Sequence, residues 1–335
     1  MAASTSSLAQ RANKYLERTG LKSVAKLEVI PGDASMRRYV RVTIPSEQSR
    51  MLLVYPDSID PKSLSFLNVC RLLDNMSIPV PAITNCEADL GIIELEDLGN
   101  LTLQDALSSA SLDYRKTLYL EAVTIIADLQ HKARAFEASD YVPFKFVFDT
   151  EKLMWEFDFF LEHFLIRARG ISLSPEQRSA LRDEFIPLAS ELAAEPRVLC
   201  HRDYHSRNLM LHNKQLYVID FQDARMGPNT YDLVSLLRDS YVENPTDLIE
   251  TMIEKFVELA KIANVESFRQ RFDCMSVQRH LKALGTFGYQ SVVASSSRYD
   301  NDIPRTLLYL AEVFDRRERF NHLRKLLSPH LRELG

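Results

Sequence analysis

The stretch His201-Arg202-Asp203-Tyr204-His205-Ser206-Arg207-Asn208 runs directly into Leu209-Met210-Leu211-His212, Asn213-Lys214 and Gln215-Leu216-Tyr217-Val218-Ile219-Asp220. Two short apolar runs about a two-residue Asn-Lys turn are a β-hairpin signal. That turn sets Leu209 opposite Val218 and Asn208 opposite Ile219. Asn208 and Asp220 are then expected at one end of the hairpin, about 5 Å apart, one strand spacing. Asp203 lies one short loop upstream. Two carboxylates and an amide oxygen therefore converge where the loop enters and the hairpin leaves. Mg²⁺ takes hard oxygen ligands, usually one or two carboxylates plus substrate phosphates. A further carboxylate outside the metal shell is placed to take a proton from an attacking hydroxyl. An isolated Asp in such a loop more often caps a turn. The spacing of these residues, with the hairpin behind it, carries the chemical reading.

The surroundings of this island limit the fold. Before it, Val24 to Ile30 is β-prone and ends in the turn cluster Pro31-Gly32-Asp33-Ala34-Ser35, and Arg38 to Ile44 alternates with Val40, Val42 and Ile44 on one face. Met51 to Tyr55 is an apolar run of strand length. Leu64, Leu67, Leu72 and Met76 predict a helix that stops before Pro79 and Pro81. Ala82 to Cys86 and Ile92 to Leu95 predict the last strand pair, turned by Asp89-Leu90-Gly91. At the amino terminus Leu8, Ala12, Tyr15 and Leu16 recur at helical spacing, with Gly20 as a stop.

From about residue 101 the period is helical, over 112–129, 153–164, 246–264, 266–285 and 304–332, with a further start at Ser174-Pro175-Glu176-Gln177. In that start Ser caps, Pro fits the first turn and Gln reaches back. The expected fold class is α+β. Residues 1–97 make a small antiparallel-sheet lobe with an amino-terminal helix, and residues 98–335 a helical lobe holding the 201–208 loop and the hairpin ending at Asp220.

Composition removes several functions. Lys and Arg number 41 against 46 Asp and Glu, a net charge of −5, without the basic excess that binds nucleic acid. No run of eighteen apolar residues is present to span a membrane, and the first twenty residues lack the basic-then-apolar order of a secretory signal. The four cysteines (Cys70, Cys86, Cys200, Cys274) lie far apart with no metal spacing, as reduced buried thiols of a cytoplasmic protein would. Nothing implies an obligate protein partner.

The order H-R-D-x-x-x-x-N followed by a metal-binding Asp resembles the catalytic loop of the kinase fold. Only eleven residues (221–231) separate Asp220 from Asp232, in FQDARMGPNTYDLVSLL, with no D-F-G and no long activation segment. Gly227-Pro228 leads directly to Tyr231-Asp232-Leu233. That pattern resembles the aminoglycoside phosphotransferase/choline kinase superfamily, whose substrates are small molecules. The wording PGDASMRRY (31–39), EDLG (96–99), HRDYHSRNLM (201–210) and IDFQDARMGP (219–228) is most similar to bacterial anomeric sugar kinases of cell-wall recycling. Those phosphorylate N-acetylmuramate and N-acetylglucosamine at C1 with ATP.

The resemblance implies a protein-kinase-like two-lobe fold, with ATP and Mg²⁺ as cofactors and a small-molecule sugar as substrate. Asp203 is implied as the catalytic base and Asn208 and Asp220 as metal ligands. Gly32, Asp33, Ala34 and Ser35, followed by Arg37 and Arg38, are implied to cover the phosphates. The backbone of Glu94, Leu95 and Glu96 is the implied adenine hinge. His205, Arg207, Gln222, Asp223 and Arg225 flank the base as substrate contacts. His201 and Asp232 support the loop, Asp232 either as a brace or as a helix cap. Glu156, Glu162, His163 and Arg167 are weaker candidates on the substrate wall, and Trp155 is expected to pack.

One departure stands out. Kinases place a Lys on the third strand, paired with a Glu on the next helix. Arg50-Met51-Leu52-Leu53-Val54-Tyr55 has no Lys, and residues 62–75 have no Glu. Losing both is coherent, since one partner alone would be an uncompensated charge. Either Arg37, Arg38 or Lys62 supplies the missing cation, or the chain is a nucleotide-binding pseudokinase. The rival enzyme reading is an aminoglycoside or amino-alcohol phosphotransferase. A polycationic acceptor needs an acidic cleft, whereas Arg202, Arg207 and Arg225 flank this base. If the sugar bears a lactyl carboxylate, Arg207 and Arg225 are the expected readers.

Overall fold

The computed structural model describes residues 2–23, 25–30 and 37–335, with the backbone alone for 2–7. The chain divides into two compact units. One runs to Leu101 and takes in Met210–Gln222; the other holds Thr102–Leu209 and Asp223–Gly335. No linker composition marks any of the three crossings.

In the first unit, helix α1 (Ala2–Arg18) precedes strands β1 (Lys26–Ile30), β2 (Arg38–Thr43) and β3 (Arg50–Val54), helix α2 (Ser65–Asn75), and strands β4 (Ile83–Glu87) and β5 (Ile92–Glu96). The strands form one antiparallel sheet in the order β1-β2-β3-β5-β4. The alternation in 38–44 is the reason: Val40 and Val42 are buried on one face, with Leu52, Val54 and Ile92, against Ala12, Tyr15 and Leu16 of α1. Each such side chain contributes roughly 1.5–3 kcal/mol by burial. Arg11 fastens α1 through the carbonyl oxygens of Tyr55, Pro56, Asp57 and Leu90. The β4–β5 turn ends on Gly91 at φ +60°, where a Cβ would overlap the Asp57 carbonyl, so only glycine fits.

The second unit holds α3 (Leu103–Ser108), α4 (Leu112–Lys132), α5 (Thr150–Phe160), α6 (Pro175–Ala193) and β6 (Arg197–Cys200). The hairpin β7 (Leu209–His212) and β8 (Gln215–Val218) follows in the chain and from Met210 belongs to the first unit; β9 (Arg225–Pro228) and α7 (Tyr231–Leu237) return to the second. Helices α8 (Thr246–Leu259), α9 (Val265–Val292), α10 (Ile303–Arg316) and α11 (Asn321–Leu327) complete it. The expected Asn-Lys turn is present: Asn213 and Lys214 have φ of 50° and 65°, as a two-residue hairpin loop requires. The Ser174 capping box is also present.

Helix α9 packs along α5 and its π-helical continuation Leu161–Ala168. Gly288 permits the contact, because a Cβ there would press on the His163 carbonyl. The expected single helix over 304–332 is broken: Arg317 turns extended at φ −126°, where its guanidinium meets Asp273 at 2.6 Å. Among the described residues no helix is long and apolar enough to cross a membrane.

Candidate active site

The loop after β6 is held from below by two buried aspartates. Asp232 is 0% exposed, and its carboxylate accepts the backbone N–H groups of His201 at 2.6 Å and Arg202 at 3.0 Å. It stands inside α7, whose cap position is Thr230, so it braces the loop and is not the cap. Arg202 has φ +85°, a left-handed conformation that costs a non-glycine residue about 1 kcal/mol or more. Burial pushes the Asp232 carboxyl up, against the two N–H donors. Asp239, a residue without a role in the sequence reading, accepts from Ser206 N at 2.9 Å and Tyr241 N at 2.8 Å. His201 is buried with its ring edge-on to Tyr204, whose hydroxyl donates to Ala122 O at 2.9 Å.

Asp203 projects from this frame. Lys282 Nζ of α9 lies 2.9 Å from its Oδ1, and Arg279 Nη1 lies 3.8 Å from the same oxygen. Burial pushes the Asp203 carboxyl up, but Lys282, Arg279 and Arg202 outweigh it and hold the group well below the usual carboxylate range. Both cations meet Oδ1, and among the described residues no donor stands on Oδ2. Lys282 is itself pushed down by burial. Neither α9 residue is in the sequence reading. The one trace they leave is their i, i+3 spacing, which puts both on one helix face.

Asn208 Nδ2 donates to Asp203 O at 2.9 Å, which turns its Oδ1 away from the loop. Asp220, in the first unit, has φ +63° and a half-exposed side chain. Its Oδ1 accepts from Gln222 Nε2 at 2.9 Å and Arg37 Nη2 at 3.4 Å. Asn208 in the second unit and Asp220 in the first each carry a hard oxygen of the kind Mg²⁺ takes. Among the described residues no group of three or more His, Cys, Asp or Glu forms a metal site.

Arg37 also borders an open cleft of about 450 Å³ in the first unit, with Tyr55, Asp60, Ser63 and Gln222. Of the three cations offered for the missing strand Lys, Arg37 is the one beside Asp220. Arg38 is exposed and donates to Arg37 O at 3.5 Å, and Lys62 is exposed at the foot of the helix, its N–H on Asp60. Gly32, Asp33, Ala34 and Ser35 lie outside the described residues.

The expected hinge residues are placed differently from their use in the sequence reading. Strand β5 is an inner strand, so Glu94 and Leu95 have ladder partners on both sides, and Glu96 N donates to Ala82 O at 2.8 Å. The first residues beyond the sheet are Asp97, Leu98 and Gly99. Arg41 holds them, its Nε 2.6 Å and Nη2 2.9 Å from the two Asp97 oxygens. Glu94 is buried among Tyr15, Thr84 and Arg50. On the strand that lacks the Lys, Arg50 therefore pairs with Glu94.

The flanking candidates fall into groups. His205 packs its ring on Tyr241 at 5.0 Å, and burial pushes its pKa down to about 3. Arg207 lies over the same Tyr241 ring at 3.6 Å and is tied to Gln104 at 2.9 Å and Asp302 at 3.5 Å. Asp223 and Arg225 stand with Arg202: Arg202 Nη1 is 3.5 Å from Asp223 Oδ2, and Arg225 Nε is 3.3 Å from Asp223 O. Gln222 goes with Asp220. On the α5 wall, Glu156 is buried against Gln278, while Glu162 and Arg167 pair with each other at the surface. Trp155, expected to pack, is 51% exposed beneath Lys152 Nζ, 3.7 Å from its ring.

Comparison with known proteins follows these features. Residues 26–263 match the model of a family described as "Phosphotransferase enzyme family". An N-acetylmuramate/N-acetylglucosamine kinase of Neisseria meningitidis serogroup B is 35% identical, over 84% of this chain and 83% of its own. One of the same name from Pseudomonas aeruginosa is 31% identical over 92% and 90%. Among solved structures, choline kinase from Cryptosporidium parvum aligns with a TM-score of 0.62 at 14% identity, covering 98% of this chain and all of the other. An ADP-bound aminoglycoside phosphotransferase gives 0.59 at 15% identity, over 91% and 99%. The structural likenesses establish the α+β kinase-like fold.

Proposed function

The chain belongs to the phosphotransferase enzyme family, and from that premise we propose that it is an ATP-dependent amino-sugar kinase acting on N-acetylmuramate and N-acetylglucosamine at the anomeric hydroxyl. The observation that carries the chemistry is Asp203, a carboxylate kept ionised by Lys282 and Arg279, both on Oδ1, with no donor among the described residues on Oδ2. The relatives' shared name carries the acceptor. In this reading the acceptor hydroxyl hydrogen-bonds to Asp203, its oxygen attacks the γ-phosphorus, and the proton passes to the carboxylate as the bond to ADP breaks.

A carboxylate held so far down is a weak base, so its main work is orientation, with proton transfer late. That suits a loose phosphoryl transition state, in which positioning and charge neutralisation dominate. Asn208 and Asp220 would hold Mg²⁺, which supplies charge neutralisation on the phosphates when bound. Arg37 stands in for the missing strand Lys. The backbone beyond β5, from Asp97 to Gly99, is better placed than Glu94–Glu96 to meet adenine, since its groups lie outside the ladder. His205, Arg207, Asp223 and Arg225 belong to the acceptor side.

The cationic flank of Asp203 disfavours a polycationic aminoglycoside or choline as acceptor. The test is ADP release with Mg·ATP against a panel of N-acetylmuramate, N-acetylglucosamine, choline and an aminoglycoside. Turnover only with the two amino sugars is expected. Turnover with the cationic acceptors, or with none, would overturn the assignment.

A further inference from the structure

We propose that Arg202, Arg225 and Lys152 form a carboxylate-reading face of the acceptor site, which makes the enzyme prefer the acidic amino sugar over the neutral one. The inference rests on the amino-sugar reading above and names which residues sort its two acceptors.

The geometry is an imbalance of charge within the second unit. Arg202 and Arg225 both converge on Asp223, one through its carboxylate at 3.5 Å and the other through its carbonyl at 3.3 Å. That single carboxylate is itself half exposed, so solvent weakens its hold on two guanidiniums. Arg202 Nε is buried and, among the described residues, has no hydrogen-bond partner, which leaves a donor unused. Arg225 lies over the Phe148 ring, its Cζ 5.3 Å from the centre, and Lys152 caps the exposed indole of Trp155. Both cations thus rest on aromatic faces, which orient them without neutralising them.

The neighbours do not remove the excess. Besides Asp223, Asp203 acts on Arg202, and Glu156, buried with Gln278, is shared among Lys152, Arg202 and Arg225. Arg279 and Lys282 are already committed to Asp203. Arg202 is held up against burial by Asp203, Tyr231, Asp223 and Glu156; the crowding is felt by Arg225 and Lys152. Burial and then Arg202 lower the pKa of Arg225, and burial, with Arg202 and Arg225, lowers that of Lys152 against the pull of Glu156. An anion arriving here relieves that repulsion.

A planar carboxylate is the anion that guanidiniums hold with two parallel hydrogen bonds. N-acetylmuramate carries one on its lactyl ether, and N-acetylglucosamine does not. Arg207, the other reader suggested by the sequence, has its own carboxylate in Asp302 and its own ring in Tyr241, and is not short of an anion.

The test is the ratio of kcat/KM for N-acetylmuramate over that for N-acetylglucosamine, in the wild-type protein, Arg225→Gln and Lys152→Met, with thermal melts as a check on folding. Arg225→Gln should lower the ratio about 10- to 100-fold. Lys152→Met, which changes a side chain outside the loop, should lower it about 3- to 10-fold. Arg225→Lys should recover part of the loss, since it restores charge without the planar fork. An unchanged ratio in both neutral variants overturns the carboxylate face, whether or not their absolute rates fall. A wild-type protein that phosphorylates neither sugar overturns the amino-sugar reading itself, and is seen before any variant is made.

Discussion

Glu94 and Asp203 are both carboxylates met by a cation, and the difference in how they are met separates scaffold from chemistry. In the first unit, Glu94 is 3% exposed and both of its oxygens are taken: Oε1 by Thr84 at 2.6 Å, Oε2 by Tyr15 at 2.9 Å, with Arg50 at 3.5 Å from each. In the second unit, Lys282 and Arg279 crowd Oδ1 of Asp203, and among the described residues no donor stands on Oδ2. A fully satisfied buried acid rigidifies the structure around it. A half-satisfied one keeps a lone pair for a substrate. The contrast also accounts for the missing strand Lys. An Arg stands at the head of β3, but its partner is the sealed Glu94. The cation beside Asp220 is Arg37, which arrives from the start of β2.

The largest effect expected from this contrast is at Asp203. Asp203→Asn keeps the shape and removes the charge, so turnover should fall about 10²- to 10⁴-fold while Mg·ATP affinity by calorimetry stays within a few fold. A variant with near-wild-type kcat would take Asp203 out of the mechanism and erase its difference from Glu94.

Lys282 should follow, with a smaller loss. Lys282→Met removes the nearer cation, and kcat should drop about 10-fold, a differential interaction of one pKa unit. The sign of the pH effect is fixed. Asp203 is held below its usual range, so in the wild type the ionised form survives further into acid. Without Lys282 its pKa rises, and the acid limb of kcat/KM must move to higher pH. Lys282→Arg should restore much of both. If kcat falls with the acid limb unmoved, Lys282 acts on packing and not on Asp203.

These two positions show where the sequence was readable. The hairpin was legible because Asn213 and Lys214 are local: two residues with positive φ between apolar runs permit few alternatives. Ser174 with Gln177 was legible for the same reason. The strands of the first unit were read within two residues of their ends from alternation and turn residues alone. Asp203, Asn208 and Asp220 stood out by spacing and by resemblance to a family.

What was lost is what no period records. Lys282 meets Asp203 across 79 positions of sequence, and Arg37 meets Asp220 across 183. An ion pair between distant residues leaves no pattern near either one. Strand order goes unrecorded for a related reason. Whether the backbone of Glu94–Glu96 is free depends on β4 and β3 lying on both sides of β5, a matter of strand order. The break at Arg317 depends on Asp273, 44 residues earlier. In each case a tertiary partner overrode a local reading.

Tyr15→Phe tests the scaffold side of the contrast. It strips the donor from Glu94 Oε2 and the acceptor from Asn85 Nδ2, which lies 3.1 Å from the Tyr15 hydroxyl. Stability by urea titration should fall about 1–3 kcal/mol, the cost of an unsatisfied buried group. The kcat of the folded protein should be unchanged. A drop in kcat at full folding would mean that the Glu94 network feeds the chemistry and is not only scaffold.

The pH dependence of turnover should owe nothing to His205, although it sits two residues from Asp203. Burial holds its pKa near 3; Asp203 pulls it up, while Arg279 and Lys282 push it down. An unperturbed histidine titrates near 6.5, so a catalytic histidine would give a limb in that region. Here the imidazole is neutral from pH 8 down to 5, and kcat should show no inflection near 6 that His205→Asn removes. The cost of its neutrality falls on folding instead. With the folded pKa below the unfolded one, this contribution is complete above pH 6.5 and is lost as the unfolded chain takes up the proton on acidification. Between pH 7 and 5 the loss amounts to about 2 kcal/mol, and His205→Asn should flatten that part of the stability curve. An inflection in kcat near 6 that vanishes in the variant would instead make His205 a titrating member of the site and place the loop's ionisable chemistry on two residues, not one.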